Sequence, residues 1–109
     1  MSLLSSSSAS NNHNLYFSKE ELSKILNLYS KGVSSGNWKD YAIDFNKNNA
    51  FFYIFKHTLA APECILNKSL EKRKRRIFYN LKSKNINRKF ENLDTLISSL
   101  NRKIFKLIN

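Results

Sequence analysis

Residues 37–57 read NWKDYAIDFNKNNAFFYIFKH, two runs dense in aromatic and β-branched residues around the polar tetrapeptide Asn46-Lys47-Asn48-Asn49. Strand-forming runs separated by a short turn-forming segment predict a β-hairpin. A hairpin this apolar is expected to mark the centre of the fold. In the first run Tyr41, Ile43 and Phe45 alternate with Asp40, Ala42 and Asp44, as in a strand with one solvated face. The second run does not alternate. Phe51, Tyr53 and Phe55 point one way and Phe52 and Ile54 the other, which predicts an interior strand or one lying under a second layer.

Helical periodicity flanks the hairpin region. Ser18 and Glu21 have the spacing of a capping box, and Phe17 and Leu22 that of a hydrophobic staple. Leu22, Ile25, Leu26, Tyr29 and Val33 then form one apolar stripe, and Gly36 is placed to end the helix. The spacing predicts a helix over residues 19–34. At the other end Asn92 is an N-cap, and Leu93, Leu96, Ile97, Leu100, Ile104, Leu107 and Ile108 share a face. Asp94 in the first turn and Arg102, Lys103 and Lys106 near the end suit the helix dipole.

Between the hairpin and the last helix, a turn at residues 57–61 is closed by Pro62, and short strands are expected at 63–67, 77–81 and 86–90. With hairpin strands at 38–45 and 50–56, the order is helix, about five mostly antiparallel strands, helix. The expected class is α+β, with both helices packed on one face of the sheet. A length of 109 residues suits one domain. The Ser/Asn-rich residues 1–16 are expected to be a disordered tail, and residues 17–109 a single small basic domain.

Residues 21–45, ELSKILNLYSKGVSSGNWKDYAIDF, resemble an uncharacterised alphaproteobacterial family, domain of unknown function 2794. Its members read as a helix with an I-L-x-L-Y core followed by G-x-W-x-D-Y-A-I-D-F. The matching residues are Ile25, Leu26, Leu28, Tyr29, Gly36, Trp38, Asp40, Tyr41, Ala42, Ile43, Asp44 and Phe45. The resemblance loosens through Phe55 and then fades. It implies a small bacterial cytoplasmic protein and brings no activity or functional residues with it.

The formal net charge is +11 and the pI about 10.0. Such an excess favours an anionic partner, although a genome biased toward Lys, Asn and Ile codons raises charge without selecting for one. The cations concentrate in Lys72-Arg73-Lys74-Arg75-Arg76 and continue through Lys82, Lys84, Arg88 and Lys89. A Lys/Arg-rich hairpin can follow a phosphate backbone by counterion release. Phe52, Phe78 and Tyr79 on adjacent strands are candidate stacking platforms for unpaired bases.

Other chemistry finds little support. Asp40 and Asp44 are about 13 Å apart along an extended strand, beyond the roughly 5–9.5 Å of a hydrolytic pair. Cys64 and His57 have no third residue to orient them, and a Cys on a β-run is more often a small buried hydrophobe. Gly32 and Gly36 are the only glycines, so no phosphate-binding glycine loop is present. A metal site would need more than one Cys and one ordered His. Trp38 is expected to close the core over the first helix, though tryptophan also anchors partners.

The N-terminal residues lack the basic and apolar regions of a secretory signal. No apolar run reaches the roughly 18 residues of a membrane span. The expectation is therefore a cytoplasmic, non-enzymatic module without a cofactor, binding nucleic acid mainly through phosphate contacts. The alternative is a protein-interaction or homodimerising module whose charge reflects genome composition, its partner a second copy or an acidic protein.

Overall fold

The computed structural model describes residues 13–105. Its elements run α1 (Lys19–Ser34), β1 (Asp40–Phe45), β2 (Asn49–Phe55), β3 (Cys64–Glu71), β4 (Arg76–Ser83), β5 (Ile86–Phe90) and α2 (Leu93–Phe105). The five strands form one sheet in the order β1-β2-β3-β4-β5. Every neighbouring pair is antiparallel. The sheet is a simple meander, and α1 and α2 lie side by side on one of its faces. The expected α+β class and layering are what is found.

The helix-facing side carries the core. Phe52, Ile54, Leu66, Leu81 and Phe90 from the sheet pack with Ile25 and Leu28 of α1 and Leu93, Leu96 and Leu100 of α2. The α2 stripe from Leu93 to Ile104 points where its spacing placed it. On α1 Leu22, Ile25, Leu26 and Tyr29 do so, but Leu28, left out of the expected stripe, is buried while Val33 is 44 % exposed. Leu107 and Ile108, assigned to the last stripe, and Lys106, assigned to its end, lie outside the described residues.

α1 begins with the reciprocal capping box: Glu21 N donates to Ser18 Oγ at 3.0 Å, and Ser18 N donates to Glu21 Oε1 at 2.8 Å. Ser35 is its C-cap, with Gly36 beyond it at φ 81°, a left-handed position that suits glycine. Trp38 then folds back under the helix. It is 3 % exposed, and its N–H donates to Gly32 O at 3.1 Å.

Turn chemistry fixes the hairpin register. Asn46 N donates to Asn49 O at 2.8 Å, and the Asn46 side-chain oxygen accepts from Asn48 N and Asn49 N. An asparagine that bonds the backbone two and three residues on is a standard device for closing such turns. At the far end Lys39 N donates to Phe55 O, although Phe55 stands opposite Asp40. Two residues facing one is a β-bulge.

Several strand boundaries differ from the sequence-based expectation. β1 starts at Asp40 because the chain is still leaving the helix at Trp38. β3 and β4 each run farther than their apolar residues suggest, to Glu71 and from Arg76, because Glu71 pairs with Arg76 across a tight turn. Contacts with the domain also begin ahead of Phe17, within the segment assigned to the tail. Leu15 N donates to Asn46 O at 2.8 Å, and the Tyr16 and Phe45 rings meet edge-on at 4.5 Å. Residues 1–12 of that segment lie outside the described residues.

Candidate nucleic-acid interface

The opposite face of the sheet has no layer over it among the described residues. By strand alternation and register it presents Asp40, Ala42 and Asp44 on β1, Phe51, Tyr53 and Phe55 on β2, and Ile65 and Asn67 on β3. Phe78, Asn80 and Lys82 follow on β4, and Asn87 and Lys89 on β5. β2 is thus an interior strand whose second apolar face is half-buried by its neighbours alone. Phe51 and Tyr53 stack with centroids 5.7 Å apart. Beside them Asn80 Nδ2 donates to Asn67 Oδ1 at 3.1 Å, and Asn67 Nδ2 donates to Asn49 Oδ1 at 3.2 Å. These bonds make an amide ladder across three strands.

The nine cations read from the sequence divide into three groups. Lys72, Arg73, Lys74 and Arg75 form the exposed β3–β4 turn, and Arg76 opens β4. Arg75 N donates to Lys72 O at 3.3 Å, and Arg75 itself sits at φ 52°. Lys82 and Lys84 lie toward the other end of β4. The six residue steps from Arg76 to Lys82 amount to about 20 Å of extended chain. Arg88 and Lys89 point to opposite faces. Arg88 lies on the helix side with its Cζ 5.1 Å from the Phe90 ring centre, and Lys89 lies on the open side.

The fold therefore does not gather all nine into one patch. It does gather Lys74, Arg76 and Lys89, which line a depression of about 290 Å³ with Phe78, Glu71 and Glu91. Lys89 Nζ stands 4.1 Å from the Phe78 ring centre. A cation over a ring at the protein surface is worth about 0.5–1 kcal/mol. Glu91 lies 3.7 Å from Arg76 Nη2, a pair with both side chains well exposed and hence weak.

Of the three candidate stacking rings, only Phe78 faces outward. Phe52 is 0 % exposed in the core. Tyr79 points toward the helices, where its hydroxyl donates to Glu21 Oε2. The residues that sequence reasoning assigned elsewhere are Phe51 and Tyr53. Their position opposite Phe52 and Ile54 was readable, but that no described residue covers them was not.

Lys68 on β3, close to these cations in sequence, does not join them. Its Nζ donates to Glu21 Oε1 at 2.7 Å, and the two side chains are 12 % and 16 % exposed. Burial pushes the Glu21 carboxyl up, but the bonds from Lys68, Tyr79 and the Ser18 backbone outweigh it and hold it below the ordinary carboxylate value. The Tyr79 hydroxyl is pushed well up by burial, then by Glu21. This cluster ties the start of α1 to β3 and β4.

The remaining candidates take structural roles. Asp40 and Asp44 each accept the next backbone N–H, from Tyr41 and Phe45, both at 2.8 Å. Because Asn46 pairs directly with Asn49, residues 40, 42 and 44 turn their backbone groups to β2, and residues 41, 43 and 45 turn theirs to the open edge. The two aspartates therefore cap outward-facing donors of an edge strand. Cys64 is 2 % exposed, and burial pushes its thiol up to about 11, far from an activated nucleophile. His57 lies in the exposed loop after β2. Among the described residues no group of three or more His, Cys, Asp and Glu side chains could hold a metal ion, and no helix is long and apolar enough to cross a membrane.

A five-stranded meander with two helices on one face and, among the described residues, an uncovered aromatic face on the other defines a two-layer α+β protein. The chain belongs to the family described as protein of unknown function (DUF2794), whose model matches residues 15–93. That span takes in α1 and the whole sheet. No curated protein and no solved structure matches the chain.

Proposed function

We propose that this protein is a non-enzymatic module that binds nucleic acid mainly through phosphate contacts, using the β3–β4 turn and the adjoining open face of the sheet. The observation that carries the reading is the convergence of Lys74, Arg76 and Lys89 around Phe78, next to the exposed Lys72, Arg73 and Arg75, in a chain of net charge +11. Arg75 adds support. It occupies a left-handed backbone position that glycine fills at lower cost, and a cation kept there despite strain fits a surface that needs charge. A bacterial cytoplasm would supply the polyanion, and the buried Cys64 thiol requires no oxidising compartment.

The test is fluorescence anisotropy with labelled RNA and DNA from about 50 to 200 mM salt. Affinity should fall steeply with salt, by a slope of about 0.7 per phosphate contact for a single strand. The slope should flatten when Lys72, Arg73, Lys74, Arg75 and Arg76 are replaced by glutamine. Absence of binding by the natural chain at the lowest salt would overturn the reading.

A second reading has one observation in its favour. Asp40 and Asp44 line the β1 side of the open face, and Lys82 and Lys89 the β4–β5 side. A two-fold axis along the strands would set the acidic side of one copy against the basic side of another. Light scattering over a concentration series tests it: a stable dimer supports it, and a monomer at all concentrations rejects it.

A further inference from the structure

We infer that the depression around Phe78 is a subsite for one nucleotide of an unpaired strand, its base stacked on the Phe78 ring and its flanking phosphates held by Lys74, Arg76 and Lys89. The inference rests on the nucleic-acid reading and narrows it from polyanions in general to single strands. Phosphate contacts alone do not separate single strands from duplexes, since both present phosphates. An aromatic ring on a sheet face does, because only a base outside a duplex can lie on it.

The geometry suits that division of labour. Phe78 is half-buried and faces away from the helices, with Arg76 two residues before it on the same strand face. Lys89 already covers the ring, its Nζ 4.1 Å from the centre. A base stacks on a phenyl ring more strongly than an exposed ammonium rests on one. An arriving base therefore displaces the ammonium, which is then within reach of the adjoining phosphate. At about 290 Å³ the depression is at the small end of ligand sites, room for a single base and sugar.

The neighbouring surface can carry the strand onward. Phe51 and Tyr53 lie two strands away, about 10 Å across the sheet, with the Asn67–Asn80 amide ladder between them and β4. Glu71 and Glu91 also line the depression, so three cations against two carboxylates leave a net charge of +1 there. Their presence supplies a directional test, because neutralising one should strengthen binding.

Binding of an unstructured mixed-sequence strand of about 12 nucleotides and of a duplex of the same sequence is measured by anisotropy at fixed low salt. The natural chain should prefer the single strand. Phe78→Leu should weaken that strand about tenfold and leave the duplex unchanged. Phe78→Tyr should restore it, and Glu91→Gln should tighten it. Circular dichroism confirms that each variant is folded. Equal affinity for strand and duplex, or a folded Phe78→Leu variant with unchanged single-strand affinity, overturns the subsite. If the glutamine-substituted turn loses binding while Phe78→Leu does not, the nucleic-acid reading stands and the subsite falls. If the natural chain binds neither ligand, both fall. A dimer that persists with excess single strand, its open face occupied by the second copy, also overturns the subsite.

Discussion

The six-membered ring of Trp38 occupies the space that a side chain on Gly32 would need, so that a Cβ added at Gly32 would collide with three of its atoms. The contact joins the last turn of α1 to the entry of β1, where Asn37 N and Trp38 N both donate to Gly32 O. Gly32→Ala should therefore destabilise the domain by about 1–3 kcal/mol, the usual cost of overpacking. Helix propensity alone predicts the opposite sign, a gain of about 1 kcal/mol. Urea denaturation of the two proteins decides between them, and Trp38 fluorescence reports on the same contact.

The Glu21 cluster sets a pH dependence. The carboxyl is held below its ordinary value of 4.5 in the folded chain. Its stabilising contribution is therefore complete above that value and is lost as pH falls through the lower folded value. Glu21→Gln removes the charge that Lys68 neutralises and should cost about 2–3 kcal/mol at neutral pH. It should also flatten the acid limb of the stability curve. Tyr79→Phe removes one bond to the same carboxylate and should cost about 1 kcal/mol. Chemical denaturation at a series of pH values measures all three proteins.

Asp40 and Asp44 act at the sheet edge. Each accepts a backbone N–H that would otherwise face outward from β1, and exposed edge donors invite pairing with another chain. Replacing both by alanine should promote concentration-dependent self-association, visible in light scattering. Replacing both by asparagine keeps a side-chain oxygen in place and should leave the protein dispersed. If both variants associate equally, charge and not capping is what the aspartates contribute.

Arg75 exchanges stability for charge. Arg75→Gly relieves the left-handed backbone at φ 52° and should stabilise the chain by about 1 kcal/mol. The same variant should bind nucleic acid less tightly and with a shallower salt slope. A glycine variant that is no more stable removes the strain argument, and one that binds as well removes Arg75 from the interface.

The fold was largely legible because each element carried its own signal. The Ser18–Glu21 box and Gly36 bracketed α1, Asn46 marked the hairpin turn, and the stripe from Leu93 to Ile104 marked α2. Coverage was less legible. Tyr41, Ile43 and Phe45 read as a buried face, yet they remain 41 %, 38 % and 40 % exposed. β1 is an edge strand, and the helices sit over the middle of the sheet and its β4–β5 side. The candidate interface was half legible. The basic turn was plain as a run of cations, but spacing along the chain does not tell that Lys68 and Tyr79 turn inward to Glu21 while Phe78 and Lys89 meet on the open face. Those outcomes depend on strand register, which the turns set.

The most direct measurement is the map of amide chemical-shift changes when a short single strand is titrated into the labelled protein. Changes should concentrate in residues 72–82 and at Lys89 and extend to Phe51 and Tyr53, with α1 and α2 little affected. Changes confined to the helices or to the β1 edge, or no changes at low salt, would contradict the proposed interface.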